Sequence, residues 1–526
     1  MTRTEPTSTE HIWDEEYDVV VVGSGGGALT AAYTTGTEGL STLVLEKTGL
    51  FGGVTSYAGA AVWFPGNTIE MEGDPGDSID LAREYLSHLL DDSAKAHYET
   101  YLQTGPELVE FLTAHPDVQF TWNKFPDYFE RPGRRTGGRS IWPAPLDSAR
   151  VGDFLPFLRP ALALDREGLP HPEGLVTQGR ALIAGLLLAG RSTGNVTVRV
   201  KSPVMDLVVE DGRVVGVLAE HDGRRLQIRA RRGVVAAAGG YESSAELRSR
   251  HATPGRATWT MAPAGANTGD LISAGVRAGA ATDLMGDAWW NPGIALADGR
   301  PAALVCISGG VMVDGSGTRF CNESLPYDQA GRRMAGNPAD GSASGGTPYD
   351  PAWFVFDSRD AGNLPAISLP PADPDACLDA GVWVRADSVA ELAERIGVPV
   401  DALERTVATF NRDAEIGVDA EFRRGEDAYD LAFTVGTGPN PALVPLQQAP
   451  YFAARMLISD LGTKGGLRID TDGRVLRTDG TVLEGLYASG NNTASMTGHT
   501  YPGPGFPIGL SMLFGYRAAR HIAAAG

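Results

Sequence analysis

Cysteine is nearly missing from this chain. Three residues, Cys306, Cys321 and Cys377, occur among 526, and no two are spaced as C-x-x-C. That pattern speaks against a disulfide framework and against an iron–sulfur or thiolate-held metal site. The nine histidines include no H-E-x-x-H pair, so no metal centre is expected. Long apolar runs are missing too. The longest, from Ala181 to Gly190, is far short of the roughly 20 residues that cross a bilayer. The first ten residues are polar and acidic, with no charged-then-apolar leader. A soluble cytoplasmic protein without integral membrane association is expected. Basic charge is in deficit, with 44 Lys and Arg against 65 Asp and Glu, a net −21. Nucleic-acid binding and polybasic membrane docking both depend on clustered cations, so neither is expected.

Glycine and proline are plentiful, at 67 and 34 residues. Their positions carry the reading. Tyr17 to Val22 is a β-branched apolar run suited to a buried parallel strand. Gly23-Ser24-Gly25-Gly26-Gly27-Ala28 follows, then a helical stretch from Leu29 to Tyr33, then a second strand at Ser41 to Glu46. This is the dinucleotide fingerprint in its required strand–turn–helix–strand setting. The glycines let backbone N–H groups and a helix N-terminus meet a pyrophosphate. Glu46 can accept from ribose hydroxyls. Further on, Gly52-Gly53-Val54-Thr55-Ser56 and Gly59-Ala60 suit close contact with a flavin. Gly233 to Gly240 and Gly485 to Asn491 are two more strands ending in small residues. Three such strands fit one extended FAD; taken singly they are ordinary α/β loops.

Near the C-terminus, Gly498-His499-Thr500-Tyr501-Pro502-Gly503-Pro504-Gly505 is too rich in proline and glycine for regular structure. It is either a tight turn before the last helix or a rigid loop aiming a tyrosine hydroxyl and glycine N–H groups at one oxygen. Tyr128, in Phe125-Pro126-Asp127-Tyr128, and Tyr327, in Asn322-Glu323-Ser324-Leu325-Pro326-Tyr327, are two further restrained tyrosines. Composition alone makes each a packing residue.

The length allows at least two domains. Helices are expected at 77–90, 94–113, 178–190, 388–396 and 399–414. Strands are expected at 196–200, 204–210, 214–220 and 225–230. The texture changes near residue 285 and changes back near 456. The expected domains are therefore 13–285 and 456–526 for the cofactor, with 286–455 inserted for the substrate. Residues 1–12 read as a disordered tail, and Gly336 to Pro351 as a flexible loop.

Taken together, the motifs at 21–25, 52–57, 62–65, 125–128, 322–327 and 501–505 resemble the 3-ketosteroid Δ1-dehydrogenases, within the fumarate reductase/succinate dehydrogenase flavoprotein superfamily. The last two motifs are particular to the steroid group. The resemblance implies an α/β protein with a Rossmann-like FAD-binding domain of glutathione reductase type and an inserted α+β catalytic domain. It implies 1,2-desaturation of a 3-ketosteroid, with reducing equivalents passing to a quinone-like or artificial acceptor. Tyr327 matches the base for the C2 proton and Tyr128 the partner hydrogen-bonded to that base. Tyr501 and the Gly505 N–H match the pair on the C3 oxygen. Expected FAD contacts are Gly23, Gly25, Gly26 and Gly27, with Glu46 and Lys47. Gly53, Thr55, Ser56, Gly59 and Ala60 continue the set. Val204, Ala238, Gly239 and Asp270 follow, then Gly490, Asn491, Gly509 and Leu510. No histidine lies in Gly52 to Ala60, so the FAD is expected to be non-covalent. Alternatives are a Δ4-(5α)-dehydrogenase or a fumarate reductase-like enzyme. The latter would need an arginine, and none follows the loop before Arg517. His499 is expected to support the loop.

Overall fold

The computed structural model describes residues 13–342 and 346–525. The expected tail at 1–12 and part of the expected loop at 336–351 lie outside these. The first strand, Glu15–Val22, is flanked on both sides by parallel neighbours, Thr42–Leu45 and Arg224–Ala236. Val196–Arg199 extends the sheet on one edge and Val482–Ala488 on the other. Val19, Val20 and Val21 are fully buried, as the unbroken apolar run requires of a strand covered on both faces. Arg224–Ala236 is one 13-residue strand. In sequence it reads as two, because the polar pair Arg231-Arg232 interrupts the apolar pattern. The helices Gly26–Thr37 and Phe506–Ala524 pack closely beside this sheet. A Cβ on Gly515 would collide with the Gly27 carbonyl, so the contact needs glycine.

The second sheet has seven strands and all its pairings are antiparallel. Its central strand, Tyr451–Thr463, pairs with Ala288–Ala295, Ala352–Asp357 and Trp383–Ala386. The register with Ala288–Ala295 ends at Thr463 opposite Ala288. The expected boundary at 455/456 thus falls inside a strand, and the chain rejoins the first sheet at Arg474–Leu476. Helices Val389–Ile396 and Val400–Ile416 share a core with Val311, Val355 and Ala453. A different helix, Tyr327–Met334, lies on Ala288–Ala295. Gly331 permits that approach, since a Cβ there would press on the backbone of Asn291. This close seat fixes where Tyr327 points.

Candidate active site

The Tyr-Pro-Gly-Pro-Gly loop is held by its carbonyls. Proline has no N–H to give, so a proline-rich segment must be tied through its acceptors. The carbonyl of Pro502 accepts from the Tyr85 hydroxyl at 2.7 Å and from the Tyr128 N–H at 3.0 Å. Pro504 accepts from Ser140 Oγ at 2.5 Å. Two residues before Pro502, Thr500 accepts from Lys464 Nζ at 2.6 Å, and Gly498 accepts from the same ammonium at 3.1 Å. Every second carbonyl from 498 to 504 is therefore fixed from outside the loop. Gly505 closes it with φ +88°, and a Cβ there would collide with the Ala61 carbonyl. Only glycine meets both demands.

This anchoring brings three tyrosines together. The Tyr327 hydroxyl donates to Tyr501 Oη at 2.9 Å, and the Gly505 N–H donates to the same oxygen at 3.3 Å. Accepting twice, Tyr501 keeps its own proton for a third partner. Tyr128 stands edge-on to both, with ring centroids 5.9 Å from Tyr327 and 5.2 Å from Tyr501. Its buried hydroxyl finds no partner of hydrogen-bonding geometry. The expected Tyr128–Tyr327 hydrogen bond is thus not made, because the Tyr327 hydroxyl turns to Tyr501. Burial pushes the Tyr327 phenol well up, while Tyr501 and the nearby Tyr128 hydroxyl pull it back toward ionisation. Tyr128 and Tyr501 are also raised by burial. Among the three, Tyr327 is the one that both other tyrosines pull toward the phenolate; for Tyr501 only the Gly505 N–H does so.

The tyrosines and Gly505 line one end of a cavity of about 540 Å³. The C-terminal ends of Glu15–Val22 and Arg224–Ala236 line the other, where Gly23 has φ +107° and a Cβ would strike the Ala237 carbonyl. Gly25 and Gly26 open the first helix onto this space, and the Gly26 N–H faces Thr55 Oγ1 at 3.2 Å. Gly53 and Gly59 also border it, and a Cβ on either would meet open space. Glu46 is oriented by Ser24 Oγ at 2.6 Å and the Thr48 N–H at 2.7 Å. Lys47 is paired with Asp270 at 2.9 Å. Ala60, Val204, Ala238 and Gly239 lie along the same wall, as do Gly490 and Asn491. A glycine-lined helix start beside a buried carboxylate fits the phosphates and ribose of a dinucleotide.

Four expected contacts do not line this cavity. Gly27 and Gly509 face protein, against Ser511 and the Tyr101 hydroxyl respectively. Ser56 is buried beside Gly52. Leu510 borders a separate cavity on the far side of the 490–500 segment. His499 borders that second cavity too and donates from Nδ1 to Asp287 at 2.6 Å, a loop-supporting role. Arg517 pairs with Asp472 away from the tyrosines.

A family model described as FAD binding domain matches residues 18–508. The chain is 40% identical to the 3-oxosteroid 1-dehydrogenase of Mycolicibacterium smegmatis, over 97% of this chain and 98% of that protein. The chain belongs to the 3-oxosteroid 1-dehydrogenase family of FAD-binding flavoproteins. A solved structure, 3-ketosteroid delta1-dehydrogenase from Sterolibacterium denitrificans in complex with 1,4-androstadiene-3,17-dione, superposes with a TM-score of 0.87. It is 34% identical and is covered over 97% of this chain and 100% of its own. The 4-oxocyclohexanecarboxylate 2-dehydrogenase of Sinomonas cyclohexanicum is also 34% identical, over 96% of this chain and 93% of that protein.

As a member of the 3-oxosteroid 1-dehydrogenase family, the chain is a FAD flavoprotein, and the glycine turn with Glu46 suits that cofactor's phosphates and ribose. No histidine lines it. Acid precipitation of the yellow holoprotein is expected to leave all the flavin in the supernatant; flavin remaining on the pellet would establish a covalent link. Sequence reasoning missed several lining residues of this family member. Trp289, edge-on to Tyr501 at 5.2 Å, carried a signal only as a marker of changing texture. Cys306 carried none, nor did Tyr429, which stands edge-on to Tyr128 at 5.5 Å without itself lining the cavity.

Proposed function

We propose that this chain introduces the C1–C2 double bond of 3-ketosteroids. The observation that carries the reading is the convergence of Tyr327, Tyr501 and the Gly505 N–H at the end of a cavity with an apolar wall. Ala303, Val305, Leu369 and Pro370 form part of that wall and suit a fused hydrocarbon skeleton. The Tyr501 hydroxyl and Gly505 N–H donate to the C3 oxygen. Negative charge builds on that oxygen as the C2 proton leaves, so two fixed donors stabilise the transition state more than the ketone. Tyr327, as phenolate, accepts the C2 proton. Burial works against that phenolate, and the Tyr128 hydroxyl, close by and without another partner, works for it. FAD, which Gly23, Gly25, Gly26 and Glu46 would hold, would supply the acceptor for the C1 hydrogen and its electron pair, with a quinone-like or artificial acceptor as the final oxidant.

The test is turnover of 5α-androstane-3,17-dione by purified holoprotein with an artificial acceptor. Formation of the 1-ene supports the reading. A 4-ene product would assign the Δ4-(5α) reaction instead. A preference for 4-oxocyclohexanecarboxylate would place the activity with that relative.

A further inference from the structure

Behind the tyrosines lies a group of buried charges that the proposed chemistry does not use. Lys464 is 1% exposed. Its ammonium donates to the Gly498 and Thr500 carbonyls and lies 4.3 Å from the centre of the Trp289 ring. Trp289 in turn stands against Tyr501 and donates to Asn491 Oδ1 at 3.1 Å. Two carboxylates balance the charge. Asp287 accepts from His499 at 2.6 Å, from Trp290 Nε1 at 2.7 Å and from Arg332 at 3.1 Å. Asp328 is fully buried, and neither of its oxygens has a side-chain partner. Asp328 and Arg332 belong to the helix that begins with Tyr327, whereas His499 and Thr500 precede Tyr501. The cluster therefore joins the helix of the base to the loop of the carbonyl donors.

We propose that Lys464 is a positioning residue for the reaction, holding Tyr501 and Gly505 in register with Tyr327 through the Gly498 and Thr500 carbonyls. The inference rests on the function proposed above. A buried ammonium is costly unless paired and hydrogen-bonded. Here burial pushes Lys464 down and Asp328 up, and each opposes the other's shift. A methionine or leucine would fill the same volume without that cost. What a lysine adds is two strong, directed bonds to a segment whose prolines leave it short of donors. Those bonds end one residue before Tyr501, so their loss acts on the donor pair. Of the expected FAD contacts the cluster reaches Asn491, through Trp289, while the glycine turn at 23–26 and Glu46 lie elsewhere in the cavity.

The experiment is a double-mutant cycle on flavin reduction by androst-4-ene-3,17-dione without oxygen, using Lys464→Met, Tyr501→Phe and the double variant. Lys464→Met is expected to slow flavin reduction about 10- to 100-fold while retaining flavin, and Lys464→Arg to recover most of the loss. The double variant is expected to be no more than a few-fold slower than Tyr501→Phe, because residues acting through one unit are not additive. Fully multiplicative losses, or wild-type rates in Lys464→Met, would overturn the proposal. Should Lys464→Met fail to accumulate, Lys464→Gln, which keeps a donor for Thr500, enters the same cycle with the same two outcomes. Wild-type protein that leaves the steroid untouched would defeat the functional reading instead, and the two failures are distinguishable.

Discussion

Tyr327→Phe protein is expected to hold FAD and steroid and yet to reduce its flavin slower by a factor near 10⁴. General-base groups contribute about 10²–10⁴ in rate, and this site has no second group placed to substitute. Tyr128 lacks a bonding partner but is pushed up by burial, and the proposed function gives Tyr501 to the carbonyl. The substitution removes one oxygen at the cavity wall and leaves the ring contacts with Tyr128 and Tyr501 in place. It also removes one donor to Tyr501, worth about 1 kcal/mol of stability. Binding and folding should therefore survive while chemistry does not. Rapid mixing with steroid under nitrogen reads the chemical step directly. Flavin bleaching at the wild-type rate would remove Tyr327 from the mechanism.

Tyr501→Phe is expected to slow the same step by about 10²–10³, the usual loss for one of two oxyanion donors. The Gly505 N–H stays, since the loop that presents it is held through Pro502 and Pro504 rather than through Tyr501. The defect should therefore be smaller than for Tyr327→Phe. It should fall mainly on kcat, because the lost interaction strengthens as charge reaches the oxygen. An unchanged kcat with only a raised KM would show that Tyr501 merely helps steroid binding.

Much of this site was legible because its parts are local. The first strand–turn–helix–strand unit spans about thirty residues, and its glycines sit where both φ and ligand approach demand them. The proline-glycine loop likewise declares its rigidity in eight residues. What stayed hidden depends on distant pairing. Lys464, Asp287 and Asp328 come from three elements, and nothing in their local sequence separates them from surface charge. Glycine is ambiguous in a different way. Gly27 and Gly509 lack a Cβ because a neighbouring helix or side chain sits there, and sequence alone gives the same signal for a cofactor. The domain boundary at 455/456 slipped for a similar reason. Tyr451–Thr463 is apolar along much of its length, so only its register with Ala288–Ala295 assigns it to the second sheet.

Tyr128, Tyr327 and Tyr501 come from the first, inserted and final stretches of the chain. Neither folded unit owns a complete set. Under the proposed function, activity is a gauge of how well the two units are docked, and a sensitive one, since an ångström of slip would part the hydroxyls while each core stayed intact. On gradual heating, turnover should vanish before flavin is shed and before helix content falls. Selection for heat tolerance in such an enzyme would act first on the seam between units, where Asp287 meets His499.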